Sequence, residues 1–244
     1  MTNTTKPIRI AAPAFITLMN WFAGVMAIIF AMNGMLVEAA LFIIAASVFD
    51  FFDGMIARLL NAQSELGVQL DSLADAVSFG LAPGFIIYQQ LAENPEIAPV
   101  FTYVAFIPAA AAVLRLAIFN IKNQNEQDFF GLASPAFALF IAGITLSIEI
   151  SSHHQFTDFF QSGTFWITCA VISSVLMLLP LRMFSLKFKH LKWKQNEYRY
   201  IFLLISLAIF PFLQIITLPL IIVLYILMSV LYHFNYKHIK TFKI

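Results

Sequence analysis

Asp50, Asp53, Asp71 and Asp75 stand in otherwise apolar sequence, in the run Asp50-x2-Asp53-Gly54-x2-Ala57-Arg58-x8-Gly67-x3-Asp71-x3-Asp75. An ionised carboxylate at the centre of a membrane helix costs about 2.5–3.5 kcal/mol on insertion scales, so such residues mark function by default. Carboxylates this close repel one another, and a divalent cation is the simplest partner able to hold them together. Hard oxygen ligands suit Mg2+, Mn2+ or Ca2+, and the lack of histidine or cysteine nearby disfavours zinc. Four carboxylates can hold two ions, and two-metal sites clamp phosphate oxygens during in-line displacement. Gly54 and Gly67 suit positions where a backbone must approach a nucleotide or phosphate closely. Arg58 can pair with a pyrophosphate through its planar fork, and one carboxylate can act as a general base toward a hydroxyl. These residue types permit metal-dependent phosphoryl transfer on a lipid-embedded substrate; the particular reaction does not follow from them.

The elements that position these residues are membrane helices. Of the 244 residues, 61% are hydrophobic and only 11% charged, about half the charged share of a soluble domain. With a mean hydropathy of +0.85, the chain reads as an all-α polytopic bundle with no sizeable soluble domain. The net charge of +1 gives no signal for a nucleic-acid partner, and the single Cys169 excludes an internal disulfide. The first apolar stretch is too long for a signal-peptide core and has no small-x-small cleavage site, so it is read as a span.

Apolar windows predict eight helices, near 13–33, 36–58, 71–91, 98–121, 133–151, 163–184, 199–215 and 217–236. With the N-terminus inside, all 14 Lys and Arg residues fall on or near the cytoplasmic side, while the opposite loops carry Glu38, Glu93, Glu96 and Asp158. This bias places both termini in the cytoplasm. Asp50 and Asp53 then lie toward the inner end of the second helix, and Asp71 and Asp75 open the third. Their i,i+3 and i,i+4 spacings put each pair on one face. The connection over 59–70 folds the two helices antiparallel, so the pairs converge in a pocket open to the cytoplasm.

The run matches without a mismatch the signature of the CDP-alcohol phosphatidyltransferase family, D-x2-D-G-x2-A-R-x8-G-x3-D-x3-D, and the chain resembles that family. Its surroundings are similar to the phosphatidylserine synthase branch. The similar segments are Leu70-Asp71-Ser72-Leu73-Ala74-Asp75-Ala76-Val77-Ser78-Phe79-Gly80, Leu114-Arg115-Leu116-Ala117-Ile118-Phe119-Asn120-Ile121 and Phe130-Gly131-Leu132-Ala133-Ser134-Pro135. Pro13-x2-Ile16-Thr17-x2-Asn20 and Ser185-x-Lys187-Phe188 are similar as well. Two positions depart from the branch: Ile118 replaces a common basic residue and Ala133 a common proline, both near segments assigned to the acceptor pocket.

The resemblance implies a six-helix core over 1–184, a basic cytoplasmic loop over 185–198, and a C-terminal transmembrane hairpin with a basic tail over 199–244. It implies a reaction in which CDP-diacylglycerol and L-serine give phosphatidylserine and CMP. Asp50, Asp53, Asp71 and Asp75 would surround two Mg2+ or Mn2+ ions, and Asp75 would also take the serine proton. Gly54, Arg58, Ser64 and Gly67 would face the CDP moiety, and Arg115 and Asn120 the acceptor. It further implies a homodimer, embedded among the lipids of a bacterial inner membrane, with its site toward the cytoplasm.

Other readings carry their own expectations. A sister transferase using glycerol 3-phosphate, an inositol phosphate or another alcohol would need further buried bases beyond Arg58 and Arg115 to meet a phosphorylated acceptor. A divalent-cation transporter would spread its carboxylates across the membrane depth, whereas these cluster near one side. Taken singly, Ser64 suits a helix cap, Arg115 a snorkelling anchor, and Asn20 and Asn120 interhelical hydrogen bonds. Gly80-x3-Gly84 with Pro83 permits either close helix packing or a kink. The orientation has a direct test. With Cys169→Ser as background, Glu96→Cys is expected to react with a membrane-impermeant maleimide in intact cells, and Lys194→Cys only after the cells are opened. The opposite labelling pattern inverts the topology.

Overall fold

The computed structural model describes residues 5–122, 129–150, 159–184, 193, 196–213 and 216–241. Helix α1 (Thr5–Met32) is followed by α2 (Leu36–Leu59) and α3 (Glu65–Asp75). A π-helical turn (Ala76–Leu81) joins α3 to α4 (Ala82–Ala92), and a 3₁₀ stretch (Pro99–Phe106) runs into α5 (Ile107–Lys122). Then come α6 (Ser134–Ile150), α7 (Gly163–Leu178), α8 (Glu197–Leu213) and α9 (Thr217–Thr241). The short strands β1 (Phe129–Phe130) and β2 (Arg182–Met183) pair antiparallel.

Every apolar window therefore holds a helix, and the protein is an all-α polytopic membrane bundle. Among the described residues, five stretches are long and apolar enough to cross a membrane: Ala11–Met32, Leu36–Leu59, Glu65–Ala92, Pro99–Ile121 and Thr217–Phe234. Ser134–Glu149 and Gly163–Leu178 are shorter apolar helices. Four boundaries differ from the predicted windows by five residues or more; the first helix begins at Thr5 rather than at 13, and the last runs to Thr241 rather than 236. The third helix starts at Glu65 rather than at 71, because Ser64 caps it. The sixth ends at Leu178 rather than at 184, because Leu179 turns extended ahead of Pro180 and the chain then enters β2. Apart from Trp193 and 196–198, the basic loop expected over 185–198 lies outside the described residues, as does Lys243 of the basic tail.

Helix α1 is the strut of the bundle, lying along α2, α3, the π turn and α4. Ala27 and Ala31 of α1 and Ala39, Ala40 and Ala46 of α2 are all fully buried. Small residues let helix backbones approach closely, which is what drives association where lipid tails are as apolar as the side chains. The π turn follows directly after Asp75, and its register change is visible at Ala82, whose N–H reaches back five residues to the Val77 carbonyl. Pro83 follows, a residue without an N–H, whose ring disfavours the regular helical ladder behind it. Gly80 and Gly84 also face the next rod closely: a Cβ on Gly84 would stand 3.1 Å from the Ala105 carbonyl oxygen. The glycine pair and Pro83 thus give both close packing and a local break in the helix.

Gly24 is the tightest point between α1 and this turn. A Cβ there would stand 2.3 Å from Ser78 Oγ and 2.7 Å from Ser78 Cα, so the backbones themselves would have to part. Overpacking by one methyl group costs about 1–3 kcal/mol. Gly24→Ala is expected to lower the melting temperature of the detergent-solubilised protein by several degrees, read by size-exclusion thermostability; an unchanged value would mean that α1 is not clamped there.

Candidate active site

The two halves of the aspartate run are presented by a helix end and a helix start. Helix α2 closes in a Schellman motif: Ala62 N–H bonds the Ala57 carbonyl and Asn61 N–H bonds the Arg58 carbonyl, with Asn61 in the left-handed region at φ 49°. Asparagine tolerates that conformation better than most residues. Two residues later Ser64 caps α3, its Oγ accepting the Gly67 N–H at 3.1 Å. The connection is shorter than the sequence suggested, and both chain ends face one cleft.

Asp50, Asp53 and Asp71 converge, each offering an oxygen within 4.8 Å of the others. Asp53 is 5% exposed. Its Oδ2 and the Oδ1 of Asp71 are buried with no hydrogen-bond partner among the described residues. At that spacing, two ionised carboxylates repel by at least about 3.5 kcal/mol at an effective dielectric near 20. Orphaned, mutually repelling oxygens are what a hard divalent cation satisfies, so the donor set fits Mg2+ or Mn2+. Asp75 lies within electrostatic reach of this triad. It is buried, and the side-chain amide of Asn20 donates to its Oδ1 at 3.2 Å.

The contacts that hold the carboxylates come largely from α1. Thr17 lies against Asp53, and its hydroxyl also donates to the Pro13 carbonyl at 3.0 Å. Asn20, fully buried, reaches Asp75 with its side chain and accepts Ser78 Oγ–H at 2.9 Å with its carbonyl. Sequence reasoning placed Thr17 only within a resembling segment and read Asn20 as an interhelical hydrogen-bonding residue. The one sequence signal was their i,i+3 spacing, which puts both on one face. It missed Gly24 and gave Ser78 no role beyond a resembling segment, because neither type nor spacing marks a backbone approach between distant helices.

A cleft of about 290 Å³ opens beside the triad, lined by Asp53, Asp71, Gly54, Arg58, Ser64 and Gly67 among others. All four residues expected to face CDP thus share one cavity. The start of α3 also borders it, and helix N-termini favour phosphate groups. Asn120 and Arg115 lie on α5. Asn120 donates to Ser72 Oγ at 2.9 Å, tying α5 to α3 beside Asp71. Arg115 is half-buried within electrostatic reach of Asp75, and its Nε has no hydrogen-bond partner among the described residues. Ile118 is 40% exposed, and neither it nor Ala133 lines the cleft.

Fold and site define a class: polytopic helical membrane proteins with a carboxylate centre held between helices beside a cleft lined by an arginine and two glycines. Within that class, the chain belongs to the CDP-alcohol phosphatidyltransferase family, whose model matches residues 10–177. It is similar to a CDP-diacylglycerol–serine O-phosphatidyltransferase of Mycobacterium tuberculosis, with 34% identity over 164 residues, 64% of this chain and 56% of that relative. The chain therefore spans just over half the length of that protein. It is 30% identical over 228 residues to a protein of the same name from Mycobacterium leprae, covering 91% of this chain and 72% of the relative. A Helicobacter pylori protein of that name is 29% identical over 198 residues, 80% of each chain.

Gly54 gives the cleft a sharp test. A Cβ there would meet nothing nearer than the Arg58 guanidinium nitrogens at 3.9 and 4.0 Å, so the fold has room for it. The added methyl would instead occupy the space in front of the arginine. Gly54→Ala is expected to keep the wild-type melting temperature and to weaken CDP binding in the presence of Mn2+ roughly tenfold or more, the equivalent of about 1.4 kcal/mol. Unchanged affinity by isothermal titration would move the nucleotide elsewhere.

Proposed function

We propose that the protein transfers the phosphatidyl group of CDP-diacylglycerol to L-serine, giving phosphatidylserine and CMP. The observation that carries this reading is the joining of the Asp50–Asp53–Asp71 triad to a cleft lined by Arg58, Gly54, Ser64 and Gly67. The serine phosphatidyltransferases among its relatives support serine as the acceptor. Asp50, Asp53, Asp71 and Asp75 would hold two Mg2+ or Mn2+ ions, which supply charge neutralisation of the pyrophosphate when bound.

In this reading Arg58 and the start of α3 bind the CDP phosphates. Asp75, kept in place by Asn20, accepts the proton of the serine hydroxyl. The serine oxygen then forms its bond to the diacylglycerol-bearing phosphorus. The pyrophosphate P–O bond breaks, and CMP leaves with the bridging oxygen. Arg115 orients the acceptor, its planar fork suited to the serine carboxylate. Asn120 contributes by fixing α5 against α3. The domain division at 184 and 198, eight spans with both termini in the cytoplasm, an inner-membrane location and a homodimer complete the proposal. The charge bias along the chain supports the orientation.

CMP release from CDP-diacylglycerol in detergent tests it. Release is expected to require L-serine and Mn2+ or Mg2+. It is expected to fall by about 10²–10⁴-fold in Asp75→Asn, the usual contribution of a general base. Release supported by glycerol 3-phosphate or another alcohol, but not by serine, reassigns the acceptor. Metal uptake into sealed liposomes without CDP-lipid, together with no release, favours transport.

A further inference from the structure

The Asn20 amide is satisfied on one side only. Its Nδ2 donates to Asp75 Oδ1 at 3.2 Å, while its Oδ1 is buried with no hydrogen-bond partner among the described residues. The whole residue is buried, so bulk solvent does not reach that oxygen. A buried acceptor left unpaired costs about 1–3 kcal/mol, which suits a donor that arrives with a ligand. We propose that Asn20 Oδ1 receives the ammonium group of the acceptor alcohol, which makes Asn20 a residue that selects an amino alcohol. The proposal rests on the transferase reading above.

The bare oxygen cannot turn away. An ionised carboxylate only accepts, so the amide must present its nitrogen to Asp75 and its oxygen elsewhere. The backbone behind it is held as well. The Asn20 carbonyl accepts Ser78 Oγ–H at 2.9 Å. Gly24, one turn further along α1, is the close approach that lets Ser78 stand there.

The reach fits one molecule. Bond lengths keep the two polar atoms of an amide within about 2.6 Å of each other. Together with the 3.2 Å hydrogen bond, this holds the bare oxygen within about 6 Å of Asp75 Oδ1. In serine the ammonium sits on the carbon next to the one that bears the hydroxyl. Asp75 can therefore meet the hydroxyl while Asn20 meets the ammonium.

Charge decides which donor belongs there. The negative field of Asp75 favours a cation over a neutral hydroxyl at so short a distance. A neutral amide oxygen binds that cation without competing for the metal ions or for the proton of the reacting hydroxyl. A further carboxylate would compete for both and would add to the repulsion among the acids. A phosphorylated acceptor gains nothing from this oxygen, because phosphate and amide oxygens both accept.

The experiment uses the full chain in detergent with CDP-diacylglycerol and Mn2+. It compares L-serine with 3-hydroxypropanoate, which is serine without its nitrogen, in wild type and Asn20→Ala. Both acceptors suffer the same loss of support at Asp75, so that loss cancels in the ratio of their kcat/KM values. The lost contact to the ammonium does not cancel. Wild type is expected to favour serine at least tenfold, the effect of one hydrogen bond to a charged group. Asn20→Ala is expected to shrink that preference by a similar factor. Equal use of the two acceptors by wild type overturns the proposal. So does a preference that survives Asn20→Ala, the result expected if a buried water alone meets the oxygen. Glycerate carries a hydroxyl where serine has its ammonium, and its use by wild type as readily as serine removes the ammonium assignment.

If Asn20→Ala does not fold, Asn20→Ser takes its place. If the variant releases no CMP with either acceptor, the rise in melting temperature on adding serine to protein loaded with CDP and Mn2+ replaces the ratio. A rise as large as that of wild type overturns the proposal, and a lost rise supports it. The transferase reading fails separately. If wild type uses ethanolamine but not serine, the serine assignment falls, and ethanolamine compared with ethanol decides the role of Asn20. If only alcohols without nitrogen are used, or if no alcohol is used and serine raises no melting temperature, both readings fall.

Discussion

Asp50, Asp53 and Asp71 bring carboxylate oxygens within 4.8 Å of one another inside a bundle of apolar helices, and the rest of the structure answers to that concentration of charge. The repulsion among the ionised groups is of the same order as the whole net stability of a folded domain, about 5–15 kcal/mol. The site is assembled against that repulsion by helix packing. This explains why the residues around it are small, glycine-rich or hydrogen-bonding rather than bulky. Every ångström gained in backbone approach is a gain in packing that opposes the electrostatic cost.

Helix α1 carries most of that burden although it supplies no carboxylate. Its buried alanines seat it against α2, and Gly24 lets it approach the π turn that follows Asp75. On the same helix, Thr17 and Asn20 touch one carboxylate from each half of the run. Helix and site are thus coupled: the face that packs is continuous with the face that orients the acids. The π turn contributes by placing Ser78 where it can bind the Asn20 carbonyl. That bond fixes the backbone from which the Asn20 amide reaches Asp75. π-helical turns inside α-helices are frequent at functional sites, and here the turn joins the acid to the strut.

Much of this was legible in the sequence. The four aspartates, the glycines and Arg58 have types and spacings that admit few other readings, and each apolar window became a helix. Two of the boundaries that shifted did so for local reasons: the Ser64 cap moved one helix start, and Pro180 moved one helix end. The convergence of three acids and the shared cleft also agree with what the spacing implied. Asn120 was read among acceptor contacts, and in the fold its amide is engaged with Ser72.

The division between the two levels has a physical origin. Within a helix, a period of 3.6 residues fixes which side chains share a face, so the sequence by itself determined the paired acids, the membrane helices and the membership of a family. Distances between helices depend on how small residues interlock across elements far apart in the chain, and no short-range pattern encodes that. Only the tertiary structure decided that α1 is the strut, that Gly24 meets Ser78, and that Asn20 reaches Asp75 across 55 positions.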